Sequence, residues 1–284
     1  MPMQLFKNIK YDAIVACASI GAMVYYSMTV IWPTLVGALF TTNVQEIGWL
    51  SCAVGGGLLF GQILGGFGLR FLPRMKIQMT IAAVIMVAFV ASLATVTEYS
   101  RTRTVVFLLV GAAAAGYIEN LTLSSMALVW EPEDIGLVAG TMGSVRTACS
   151  SVATSMYLSI LSNQLTKYLP QFVIPAATEA GLPSSSLTDL FAGITAGSLA
   201  KVPGMTANIE EVVGHAVKHA YAVSFKTVFL CTLPFGAIIL VAAIISPNME
   251  DYLTDDVARK LQGKQIGAGG QEVSGKEEDS SHQN

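Results

Sequence analysis

TVVFLLVGAAAAGYIENLTLSSMALVW (residues 104–130) and IGLVAGTMGSVRTACSSVATSMYLSIL (residues 135–161) are two apolar segments joined by an acidic turn, Glu131 to Ile135. At about 1.5 Å of rise per residue, each is long enough as a helix to cross a hydrocarbon core of about 30 Å. Each carries one ionisable side chain at mid-span, Glu119 in the first and Arg146 in the second. Glu119 lies eleven residues before Trp130 and Arg146 eleven after Ile135, so both sit about 16 Å from the shared turn. They are opposite in sign and level in depth. A charge at that depth costs about 2.5–3.5 kcal/mol on insertion scales, so each is expected to face protein or water and to take the other as partner. Two roles fit such a pair: proton coupling or substrate handling, and the plain joining of two helices.

The composition agrees with a membrane location. Of 284 residues, 53% are hydrophobic and only 12% charged, against about 25% charged in an ordinary soluble domain. The net charge of −3 resides mostly outside the apolar segments and gives no support to a nucleic-acid partner. Cys17, Cys52, Cys149 and Cys231 fall in four different apolar segments and read as small packing residues, with no disulfide framework and no metal site.

Working outward, residues 1–12 precede a first helix from Asp12 to Phe40, whose second half holds Tyr25, Tyr26, Trp32 and Pro33. Tyr25 and Tyr26 are expected to line a substrate cavity, where a buried hydroxyl wants a partner. Trp32 fits either a cavity wall or an interfacial belt. A second helix, Glu46 to Leu72, places Gly57, Gly61 and Gly65 at four-residue spacing, a smooth stripe that lets another helix approach closely. The loop that follows holds Arg70, Arg74 and Lys76. Ile77 to Val96 reads as an apolar third helix facing lipid or a neighbour.

Beyond the two central segments, residues 163–218 are mixed and interrupted by Pro170, Pro175, Pro183 and Pro203. They read as a long external loop with two short helices, at SSSLTDLFAGITAG and at Ile209 to Ala220, the second running into a last span from Tyr221 to Ser246. His215 and His219 are one turn apart, a metal-pair spacing without an evident third ligand, which favours a solvated or pH-sensing face. Residues 247–284 are polar and read as a disordered tail.

The expectation is therefore an all-α integral membrane protein with six transmembrane helices over residues 13–246. Lys7, Lys10, Arg70, Arg74, Lys76, Arg259, Lys260 and Lys264 collect on the side of the termini, which places both termini in the cytoplasm. All three histidines lie outside the spans, which removes the usual base of an intramembrane enzyme, and no phosphate-binding G-x-x-x-x-G-K-[ST] loop occurs. Neither enzyme nor cofactor is expected. A transporter bundle of small-residue-rich helices is the reading that remains.

The strings YYSMTVIWPTLV, GQILGGFGLRFLPRMK, GYIENLTLSSMALVWEPEDIGLVAGTMGSVRTACSS, AGLPSSSLTDLFAGITAGSLAKVPG and HAYAVSFKTVF resemble the C-terminal half of the fungal trichothecene efflux pump family. That family is part of the major facilitator superfamily and close to fungal siderophore transporters. The resemblance runs from Tyr11 to about Leu261 and implies one six-helix half of the major facilitator fold, in a proton-coupled antiporter of 14 spans. It implies that the first and fourth helices line a central cavity, which counts Tyr25, Tyr26, Trp32 and Asn120 as cavity residues. It also implies that Arg70, Arg74 and Lys76 belong to a cytoplasmic gating loop, although the acid expected before the first arginine is Leu69 here.

The partners so implied are the lipid bilayer of the plasma membrane, protons, a small-molecule substrate, and either a missing N-terminal half or a second copy. Export of small apolar metabolites, toxins or drugs leads. Siderophore transport and a non-transporting interaction bundle are the alternatives.

Overall fold

In the computed structural model of the chain, residues 5–72, 74–130, 134–196 and 202–248 are described. The tail from 249 onward, with Arg259, Lys260 and Lys264, and Glu131 to Glu133 of the acidic turn lie outside the described residues. The described residues form eight α-helices and no strand: α1 (Ile9–Leu39), α2 (Val44–Phe71), α3 (Met75–Ser92), α4 (Arg101–Val129), α5 (Ile135–Glu179), α6 (Leu187–Ala196), α7 (Ala207–Leu230) and α8 (Leu233–Ile245). Five stretches are long and apolar enough to cross a membrane: α1, α2, α3 with its closing turn to Thr95, α4, and α7 with α8. The sixth long helix, α5, is longer than any of these but richer in Ser and Thr hydroxyls.

Local chemistry sets several helix starts. The side chains of Asn8, Asn43 and Thr206 accept from the backbone N–H groups of Lys10, Gln45 and Ile209, pairing donors that a helix start leaves orphaned. Glu46 in the first turn of α2 and Arg70 in its last both complement the helix dipole.

The centre of the bundle is α1. Of its most apolar window 72% is buried, against 17% for α2, because α1 packs on α2, α4, α5, α7 and α8. Trp32, Leu35 and Val36 of α1 join Met79 and Met86 of α3, Ile118 of α4 and Phe225 of α7 in one core. On α2 the outward residues Leu59, Phe60, Ile63 and Phe67 are exposed, which suits a lipid-facing or partner-facing wall.

The glycine stripe forms the closest crossing. Gly57, Gly61, Gly65 and Gly68 are the buried glycines of α2, and they meet Leu109, Ala113, Asn120 and Tyr117 of α4. A Cβ on Gly57 would lie 2.8 Å from the Leu109 carbonyl oxygen, inside any ordinary contact. The four-residue spacing thus yields backbone-to-backbone packing with α4.

Two expectations need correction. Where the sequence breaks off at Ser162 into a loop, the structure carries α5 on to Glu179 with Pro170 and Pro175 inside it. Each proline deletes one backbone bond, but Val173 and Ala177 pack with Leu190 of α6 and Ile209 and Val213 of α7 in a small second core. Tertiary burial holds the helix through both. The third helix is also not plainly apolar: Gln78 is buried. Its Nε2 donates to the Gly68 carbonyl at 3.3 Å and to the Leu72 carbonyl, while its Oε1 accepts from the Tyr117 hydroxyl.

Gln78 therefore caps the C-terminal end of α2 and ties it to α4. Gln78→Leu keeps the volume but strands these partners, and a buried polar group left unpaired costs about 1–3 kcal/mol. The expected result is a lowered unfolding midpoint for the purified variant in detergent, measured by tryptophan fluorescence. An unchanged midpoint would show the contacts to be incidental.

Candidate functional site

Helices α4 and α5 bring Glu119 and Arg146 together, as their shared depth predicts. Arg146 Nη2 donates to Glu119 Oε1 in an ion pair whose two side chains are each 16% exposed. The backbone carbonyls beside the pair are engaged as well, that of Glu119 by the Thr122 hydroxyl at 2.9 Å and that of Arg146 by the Ser150 hydroxyl at 2.8 Å. What stays adjustable is the contact between the charged heads. A carboxylate that gains a proton loses its charge and loosens that contact.

The aromatics of α1 separate into two groups. Tyr25 and Tyr26 stack edge to face with centroids 5.2 Å apart, and Tyr26 is exposed. Trp32, in contrast, has no exposed surface. Its indole N–H donates to the Leu50 carbonyl at 3.0 Å, which makes it a packing residue between α1 and α2 and neither a cavity wall nor an interfacial anchor. Asn120, half-buried, donates its amide to the Gln62 carbonyl at 2.8 Å and so joins α4 to α2 at the glycine stripe.

The basic loop lies where α2 ends and α3 begins. Arg70, Arg74 and Lys76 are all exposed, with the Arg70 guanidinium 5.7 Å from the Phe71 ring centre. At the opposite end of these helices, Arg101 pairs with Glu46, and Glu98 pairs with His215 at 3.0 Å and approaches Lys218 at 3.9 Å. His219 packs edge-on against Phe172. The two histidines are thus turned to different neighbours.

One feature of α5 is not anticipated by reading it as a single apolar span. Ser144, Thr147, Ser151, Ser155 and Ser159 are exposed, and each hydroxyl donates to the carbonyl four residues earlier. Such back-bonding satisfies the hydroxyls within the helix and leaves a polar, low-profile face. Its signal in the sequence is the recurrence of Ser and Thr every three or four residues. A groove of about 800 Å³ is lined by Leu158, Leu165, Leu169 and Phe191. It begins about 18 Å farther along α5 than Arg146 and is separate from the ion pair.

No solved structure matches the chain. It is 29% identical over 252 residues to the MFS-type transporter prx5 of Penicillium rubens, covering 86% of this chain and 45% of that protein. It is 22% identical over 268 residues to the trichothecene efflux pump TRI12 of Fusarium sporotrichioides and 21% identical over 273 residues to that of Trichoderma arundinaceum, each time covering 92% of this chain and 45% of the relative. The chain thus spans a little under half the length of these relatives. The model of the fungal trichothecene efflux pump family matches residues 1–282, and a match over nearly every residue, on an all-helical bundle with a charge pair inside it, means that the chain belongs to that family.

Proposed function

We propose that this chain acts as one half of a proton-coupled exporter of small apolar metabolites, toxins or drugs, with Glu119 as the group that exchanges the proton. The carrying observation is the Glu119–Arg146 ion pair, mostly buried on α4 and α5, where the insertion cost of a charge makes a purely ornamental pair a poor explanation. Alternating access needs two bundles around one site. The matched length of 45% of each relative supports a second bundle, either an N-terminal half or another copy, closing on α1, α4 and α5.

In this reading Tyr25 and Tyr26 contact the solute, and Arg70, Arg74 and Lys76 form the gating loop at the cytoplasmic side, where both termini lie. The protein resides in the plasma membrane. The relatives are named for efflux or transport without siderophores, so the siderophore alternative is not favoured.

The test is Glu119→Gln in the two-half transporter, with proton-driven efflux of a trichothecene normalised to the amount of protein at the membrane. Coupled flux is expected to fall about a hundredfold or more, the lower end of the range for removing a side chain that transfers a proton. Wild-type coupling in the variant would rule Glu119 out.

A further inference from the structure

We infer that Ser19 is the third polar member of the Glu119–Arg146 site, a positioning residue whose hydroxyl accepts a guanidinium N–H of Arg146 when Glu119 carries a proton. The inference rests on the reading of Glu119 as the proton-exchanging group and concerns what Arg146 does in that state. Arginine cannot shed its charge. Once its carboxylate partner is neutral, the buried guanidinium needs another acceptor.

Two hydrogen bonds fix the register of α1 against α5. The Tyr11 hydroxyl donates to the Val138 carbonyl at 3.0 Å, and the Ser27 and Thr154 hydroxyls meet at 3.4 Å. Both pairs are 127 residues apart in sequence, and both helices are unbroken between them, so α1 and α5 run parallel at a constant offset. Adding that offset to Ser19 gives Arg146. The two residues are level to within about one turn. At about 100° per residue, Ser19 lies midway round α1 between Tyr11 and Ser27, and Arg146 midway round α5 between Val138 and Thr154. Each therefore occupies the sector that faces the other helix, and packed helix axes lie only about 8–10 Å apart.

The state of Ser19 supplies an independent observation. Its side chain is 5% exposed, and its hydroxyl is buried without a hydrogen-bond partner. This is out of keeping with the rest of the bundle. Ser144, Thr147, Ser150 and Ser151 on α5 all donate to the carbonyl four residues back, an option equally open to Ser19 on an unbroken helix. A buried polar group left unpaired costs about 1–3 kcal/mol, so its survival opposite a guanidinium points to a bond made in another state of the site. Arg146 has five N–H donors, and the ion pair engages Nη2.

Other ionisable groups do not compete at this depth among the described residues. On α1, Asp12 is seven residues nearer the helix start and the Cys17 thiol is turned to the Ile239 carbonyl of α8. On α4 the Tyr117 hydroxyl is bonded to Gln78, and on α5 the Cys149 thiol is three residues beyond Arg146. The charges of α2, Glu46 and Arg70, lie at its two ends. Lys226 of α7 is exposed, on the far face from the core, and α8 has no ionisable side chain.

The experiment titrates the Glu119 carboxyl by infrared difference spectroscopy on the purified chain in lipid nanodiscs, with Glu119→Gln identifying its band. In Ser19→Ala the protonated site loses an acceptor, so a higher proton concentration is needed to fill it. The half-protonation pH is expected to fall by about one unit, the equivalent of one hydrogen bond to a charged group. Ser19→Thr keeps the hydroxyl and is expected to stay close to wild type. A wild-type midpoint in Ser19→Ala, or an equal shift in Ser19→Thr, overturns the inference. Wild-type coupling of Glu119→Gln in transport overturns the underlying reading instead, so the two failures are distinguishable.

Discussion

Alanine at Gly61 is expected to break the crossing of α2 over α4. The Cβ it introduces would land on the Ala113 carbonyl group and come within 2.8 Å of the Ala113 Cα. Those atoms are backbone of a second long helix, so no side-chain rotation relieves the clash and one helix must move away from the other. The separation would also pull Gly57 and Gly65 from Leu109 and Asn120 and stretch the bond from Asn120 to the Gln62 carbonyl. Overpacking costs about 1–3 kcal/mol where side chains can adjust, and the Gly61 substitution belongs at the top of that range or above it.

The control is Gly66→Ala on the same helix, where an added Cβ meets nothing within 4 Å and where alanine favours the helix by up to about 1 kcal/mol. Thermal unfolding of the two purified variants in the same detergent separates them. Gly61→Ala should aggregate or unfold well below wild type while Gly66→Ala holds or gains. Equal midpoints would mean that α2 and α4 are not in backbone contact.

That stripe was legible in the sequence because its signal is periodic: Gly57, Gly61 and Gly65 recur at the spacing of one helix face. The depth match of Glu119 and Arg146 was legible for a similar reason, since rise per residue converts sequence distance from a shared turn into height. Features that depend on which sector faces which neighbour were not. Trp32 looks like a cavity or belt residue from its type, yet it is fully buried and directs its N–H to a backbone carbonyl of α2. Only the packing angle decides that. Gln78 passes as one polar residue in an apolar segment until the end of α2 presents the Gly68 and Leu72 carbonyls to it. The outer part of α5 contains two prolines, which argue locally for a loop, and the second core that overrides them is assembled from residues 173 to 213, too far apart for any local window to register.

The second large effect is expected at the ion pair and can be separated from transport. Glu119→Gln leaves a guanidinium without its counter-charge in a setting where the wild-type side chains are only 16% exposed, and Arg146→Gln leaves a carboxylate without its own. Removing one partner of a buried pair typically costs about 3–5 kcal/mol, much of it the penalty of the stranded charge. The double variant strands neither, so it is expected to recover most of the stability lost by each single one, a coupling well outside the roughly 0.3–0.5 kcal/mol error of additivity.

The two single variants should also differ from each other. A stranded carboxylate can take up a proton and become neutral, whereas a stranded guanidinium cannot. Arg146→Gln should therefore regain stability as the pH is lowered, and Glu119→Gln should not. Unfolding midpoints of the wild type, both single variants and the double variant, measured in one lipid at neutral and acidic pH, carry both comparisons. Strictly additive losses at both pH values would mean that the pair contributes no coupling. Full recovery of folding in the double variant without recovery of proton-driven flux would assign the pair to transport as well as to the fold, because two neutral residues would then restore everything except the ability to exchange a charge.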